Sequence, residues 1–275
     1  MVEAVLRAQG LYSLKLTART EAWKAQLSDG RWAEARQLHD GSVLVRASCE
    51  RSVDEARFLL ALDDDTSEFH RRYARDSLLG PSVRVLRGLR TTRTSTVTHA
   101  ALRAICGQLI QSRRAREIER VVIRTCDESP PTRESLARLS PAALTGCGLA
   151  ESRAATLARL VQRVDLESLK TSAAATALAR LHRERGIGPW SMGVIALQGL
   201  GRYDAGLVAD LSLVKLFASL RGRWPDQTEE TAELLAPYDE WQGLASVFLL
   251  AGFARGLVPG ASADRARLVR ARRAA

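Results

Sequence analysis

LHRERGIGPWSMGVIALQGLGRYDAGLVADLSL, from Leu181 to Leu213, organises the rest of the chain. Gly186 and Gly188 flank Ile187 and run directly into Pro189. Without Cβ atoms, the glycines let the turn take positive φ and let the backbone come close to a ligand. Pro189 suits the first position of a helix, where its missing N–H costs nothing and its φ is already helical. The stretch therefore reads as helix, hairpin, helix, over about residues 174–200. Met192, Ile195, Ala196 and Gly199 share one face of the second helix, and Ala177, Leu178 and Leu181 share one face of the first. The amides opening the second helix lack internal partners and carry the positive end of its dipole, so they attract an anion such as a nucleic-acid phosphate. Alone, the pattern equally describes an ordinary helix C-cap followed by a Pro-started helix.

Asp210 then opens a third helix, LSLVKLFASL, with Leu211, Val214 and Leu220 available to a core. Aspartate is a preferred N-cap, and by itself Asp210 reads as one. A lone carboxylate at such a place can also stabilise positive charge developing on a sugar, or orient and deprotonate a water. Asp204, the nearest acidic competitor, sits in a loop setting beside Tyr203.

GIGPWSMGVIAL, followed by GLGR and by DLSL, resembles the helix-hairpin-helix DNA glycosylase superfamily, most closely the branch of bacterial 3-methyladenine DNA glycosylase II. The resemblance implies a hairpin gripping DNA backbone through Gly186 and Gly188, a catalytic Asp210, and Trp190 at the border of a base pocket. Relatives that also cleave the strand place a Schiff-base lysine where this chain has Trp190, and Lys215 does not match that motif. A monofunctional enzyme that leaves an abasic site is the expectation. Val194 and Leu250 fall where aromatic pocket residues are expected, so the pocket should be more aliphatic and its alkylated-purine range altered. The resemblance also covers the run ending in Gly107-Gln108-Leu109. There Gln108 and Leu109 would form a tip entering DNA, Leu109 filling the gap left by a flipped nucleotide and offsetting the cost of unstacking. On pattern alone Leu109 equally reads as a core leucine. Two other classes stay open: a non-catalytic, damage-sensing DNA-binding protein, and a bifunctional glycosylase/lyase.

Bulk properties agree with a polyanionic partner. The chain has 275 residues, 46% of them apolar, and a formal net charge of +10. That charge is almost all arginine, the lysines being Lys15, Lys24, Lys170 and Lys215, and it supplies steering and salt-sensitive affinity for double-stranded DNA carrying a damaged base. No charged-then-apolar leader follows Met1, and runs such as VFLLAGFA are too short to span a membrane. A cytoplasmic, nucleoid-associated bacterial monomer is expected. Cys49, Cys106, Cys126 and Cys147 form no CxxC pair, which argues against zinc and against a four-cysteine iron–sulfur cluster; they read as buried free thiols, and no metal or cofactor is expected.

The fold expected is α+β. Residues 1–63 form a small mixed antiparallel-sheet domain, which the resemblance likens to half of the TATA-binding protein, and residues 64–275 form a mainly helical domain. LYSLKLTAR and SVLVRASC alternate apolar and polar residues like half-buried strands, with turn signals at Asp29-Gly30 and Asp40-Gly41. SVDEARFLLALD reads as a helix capped by Ser52. Asp63–Asp65 with Thr66 start a helix, and Gly80-Pro81 breaks the one that follows. TTRTSTVT is a linker in which Arg93 could touch phosphate. His99–Val122 reads as one long helix or two in sequence. Two short helices lie either side of Gly146-Cys147-Gly148, the second offering Ser152 and Arg153 to phosphate. Beyond the Asp210 helix come a turn over Arg221–Pro225 and two helices with Trp241, Leu244, Phe248 and Phe253 on a buried face. The tail, with Arg265, Arg267, Arg270, Arg272 and Arg273, is expected to fray and to add weak DNA affinity.

Overall fold

A computed structural model describes the backbone over residues 1–274 and side chains over residues 1–271, so the side chains of Arg272 and Arg273 lie outside the described residues. Four strands form an antiparallel sheet: β1 (Val2–Leu6), β2 (Ala22–Gln26), β3 (Trp32–Gln37) and β4 (Val43–Ala47), in the order β1-β4-β3-β2. The two acidic-Gly turns fall between β2 and β3 and between β3 and β4. In each the aspartate side chain accepts an amide two residues on, Arg31 N and Ser42 N, while Gly30 and Gly41 take positive φ. The helix Glu50–Leu59 covers one face of the sheet, packing Val53, Ala56 and Leu59 onto Trp23, Ala33, Ala35, Val43 and Val45.

Local details differ from the sequence reading. LYSLKLTAR is not a strand: Leu14–Ala18 is a helical turn, because Ser13 Oγ caps the Leu16 amide and Leu14 and Thr17 face inward three residues apart. Ser52 is not a cap either. The helix begins two residues before it with Cys49 at the N-cap, and Ser52 is buried with its hydroxyl 2.9 Å from that of Ser48. Gly80-Pro81 begins the helix Gly80–Val85 instead of ending one. The tail does not fray over its described length: Ala263–Ala274 is helical, and Ala266 and Val269 are buried because they share one face. Cys106, Cys126 and Cys147 are buried free thiols, whereas Cys49 is half-exposed.

The remaining chain is helical and shares one apolar core that runs from Phe69 to Val258. His99–Val122 resolves into two helices, Val97–Gly107 and Ser112–Cys126, with the tip Gln108–Gln111 between them. Two arginines join sheet and helices. Arg90 is 1% exposed and donates to the carbonyls of Ala61, Gln9 and Leu11 while its guanidinium covers the Tyr12 ring. Arg93, in the stretch read as a linker that could touch phosphate, has a buried side chain instead, pairing with Asp64 at 2.5 Å and donating to Phe58 O and Gly201 O. A charge taken out of water needs such a set of partners, and these fix the sheet against the helices. Among the described residues, no helix is long and apolar enough to cross a membrane.

Candidate active site

The hairpin joins the helices Ala174–His182 and Pro189–Ile195. Gly186 has φ +89, and a Cβ there would lie 2.4 Å from Thr156 Oγ1, so this position requires glycine twice over. Gly188 differs: its φ is −89 and ψ 178, a conformation open to any residue, and a Cβ would meet nothing within 4 Å. Its contribution is open space in front of the helix start, with Pro189 in the first turn. Ile187 is buried beneath the turn, and its amide donates to Glu184 O at 3.0 Å. Past Ile195 the helix widens into one π turn, Ala196–Leu200, which ends at Gly201 in the left-handed region.

The chain then returns to place Asp210 at the start of the helix Leu211–Arg221. Ala209, just before it, is a non-glycine residue at φ +64, held there by its amide donating 2.8 Å to Thr231 Oγ1. Such a conformation costs of order 1 kcal/mol or more and persists only where surrounding bonds enforce it. The cap reading and the site reading of Asp210 divide between its two oxygens. Oδ1 accepts the Ser212 amide at 2.8 Å, as an N-cap does, and Oδ2 accepts the Trp190 indole N–H at 2.9 Å. The side chain is half-buried, so one edge stays open to solvent.

Trp190 reaches that position because helix Val97–Gly107 ends in glycine: a Cβ on Gly107 would sit 2.6 Å from the indole Cη2. Val194 is 5% exposed and packs in the core, while Leu250 is half-buried on the helix Gln242–Phe253 against the same core. The tip lies beside the hairpin. Gln108 Nε2 donates to Gly186 O at 2.8 Å and to Ser191 Oγ at 2.9 Å. Leu109 stands 98% exposed at φ +56, which removes the core-leucine reading.

Further participants had roles that were not visible in the sequence. Arg153, which could have touched phosphate or simply stood at a solvated helix start, donates to Gln108 O at 2.9 Å. Arg159 donates to Arg185 O at 2.6 Å, and Ser191 completes the partners of Gln108. The three-residue spacing of Arg153, Thr156 and Arg159 along the helix Glu151–Arg163 was the available signal. Behind the tip, Glu119 accepts from Arg103 at 3.0 Å and pairs with His99 at 2.8 Å, and Arg103 also donates to Gln198 in the π turn. Burial holds His99 below its usual pKa against the opposing pull of Glu119. Burial works to raise Glu119, but His99 and Arg103 outweigh it and hold that carboxyl below its usual range.

The course of the chain as a whole, sheet followed by helices, is found in known structures. The 3-methyladenine DNA glycosylase from Archaeoglobus fulgidus superimposes with a TM-score of 0.76 at 17% identity, over 93% of this chain and 99% of that one. The chain has the fold of the helix-hairpin-helix DNA glycosylases. An 8-oxoguanine glycosylase/lyase from Clostridium acetobutylicum, in complex with double-stranded DNA containing cytosine opposite 8-oxoG, is similar with a TM-score of 0.71 and 17% identity, over 93% and 99% of the two chains. Among curated sequences, the chain is 26% identical over 229 residues to the DNA-3-methyladenine glycosylase of Bacillus subtilis (strain 168), covering 77% of this chain and 75% of that protein. No family model matches.

Proposed function

We propose that this protein is a DNA N-glycosylase of base excision repair that hydrolyses the bond between an alkylated purine and its sugar in duplex DNA and leaves an abasic site. The hydrogen bond from Trp190 to Asp210 carries this reading, since it puts an indole against the lone carboxylate where a lyase would offer an amine. Lys170 is engaged elsewhere, with Glu167 and Ser95 O, and Lys215 lies within the helix beyond Asp210.

The chemistry follows from the carboxylate. As the glycosidic bond breaks, its electron pair leaves with the base and positive charge grows on the sugar. Asp210, beside that sugar, stabilises the charge and takes a proton from the water that attacks C1′. A base already cationic through alkylation needs no general acid, which suits a site with one carboxylate. The flipped base would be bordered by Trp190, Val194 and Leu250, a lining with one aromatic and two aliphatic side chains. Gly186 and Gly188 would hold the sugar-phosphate strand, and the tip formed by Gln108 and Leu109 would present the leucine to the duplex beside it.

Incubation with alkylated duplex, with released bases identified by mass, tests the reading against Asp210→Asn. Asparagine keeps a capping oxygen, so the fold should survive. Release should fall by at least about a hundredfold while DNA binding persists. A variant that releases bases as fast as wild type would show a binding or damage-sensing protein instead. A borohydride-trapped covalent adduct would show a lyase.

A further inference from the structure

We infer that Gln108 is a positioning residue that locks Leu109 to the glycine hairpin, so that tip and hairpin meet DNA as one rigid unit; this rests on the proposed glycosylase reading. Gln108 directly precedes Leu109, and it is held from both ends. Its side-chain amide spends both N–H donors on the hairpin side, one on Gly186 O and one on Ser191 Oγ. Its own carbonyl accepts from Arg153.

The helix Glu151–Arg163 holds the other half. Arg153 reaches the tip, Thr156 packs under Gly186, and Arg159 donates to Arg185 O one residue before that glycine. Residues 153, 156 and 159 lie along one helix face, so a single rigid element sets the distance between tip and hairpin. Leu109 itself has no packing to hold it: it is 98% exposed in the left-handed region. Its placement therefore depends on the residue preceding it. Glutamine suits the task because only an amide of this length offers two donors without bringing a charge toward a phosphate.

The test is a double-mutant cycle of Gln108→Met and Leu109→Ala. Methionine keeps the length of glutamine and has no donor. The readouts are fluorescence of a 2-aminopurine beside an alkylated purine in duplex DNA, single-turnover release of that purine, and DNA affinity by anisotropy. Gln108→Met should lower flipping and release about tenfold, the effect of losing two modest hydrogen bonds, with affinity changed less than about threefold and thermal stability preserved. In the Leu109→Ala background the same substitution should cost less than about twofold, because its effect passes through Leu109. An undiminished penalty in that background, or Gln108→Met indistinguishable from wild type, overturns the inference alone. Wild-type protein that neither flips nor releases the purine overturns the glycosylase reading and this inference with it.

Discussion

Trp190 and Asp210, 20 positions apart in sequence, are joined by a hydrogen bond of 2.9 Å from the indole Nε1 to Oδ2. Because Oδ1 is already engaged by the Ser212 amide, the carboxylate is held at both oxygens and cannot rotate without losing a bond. Trp190→Phe would keep an aromatic ring against Gly107 and remove only the donor. Single-turnover base release should drop about ten- to a hundredfold, in line with roughly 1.5–3 kcal/mol for a hydrogen bond to a charged group, while DNA affinity stays within about twofold. Comparing release rate with anisotropy binding on the same duplex checks this.

The two hairpin glycines should behave differently. Gly186→Ala forces a Cβ onto Thr156 Oγ1 at φ +89, so both thermal stability and DNA affinity should fall, the latter more than about tenfold. Gly188→Ala introduces a methyl into empty space at an ordinary backbone conformation. Its melting temperature should match wild type while its DNA affinity weakens. Differential scanning fluorimetry paired with a binding titration separates the two outcomes.

Acid should destabilise the fold through His99 and Glu119. The folded pKa of His99 is depressed by burial, so the unfolded chain takes up a proton there first, as pH falls through the histidine's ordinary value near 6.5. Glu119 is also depressed, and its contribution is present above its unfolded pKa and lost as pH falls toward its folded one. Both signs agree: stability declines from about pH 7 downward, first with the histidine and then with the carboxylate. Urea unfolding at a series of pH values should show this slope, and His99→Gln should flatten its upper part.

The hairpin, the helix opened by Asp210 and the exposed tip were legible because each follows from local rules: glycine and proline placement, capping, and the family's motif order. What joins them was not. Gln108 meets Ser191 across 83 positions and Arg153 meets Gln108 across 45, through bonds to single hydroxyls and carbonyls that leave no periodic trace. Leu14–Ala18 misled for another reason: over five residues, alternation of apolar and polar side chains fits a strand and a capped helical turn alike, and the Ser13 cap decides. Which glycine supplies the positive φ and which the clearance was not legible, since the pattern Gly-Ile-Gly is the same for both uses; Gly186 has the first and Gly188 the second.

Arg90 should be the costliest surface-free charge to remove. Arg90→Met fills similar volume but strands the carbonyls of Gln9, Leu11 and Ala61, so unfolding free energy should fall by about 3–5 kcal/mol. Denaturant titration measures it, and a loss under about 1 kcal/mol would show that water replaces the guanidinium.

Leu109 stands in water before any partner arrives, in a backbone conformation that leucine seldom chooses. The folded protein therefore carries a standing penalty at this spot, and the part of it that comes from apolar exposure is relieved when the side chain enters something apolar. On the proposed reading, intact stacked bases would refuse it and weakened steps would admit it. The pace of inspection would then be set by the helix being inspected, by how readily each of its steps opens.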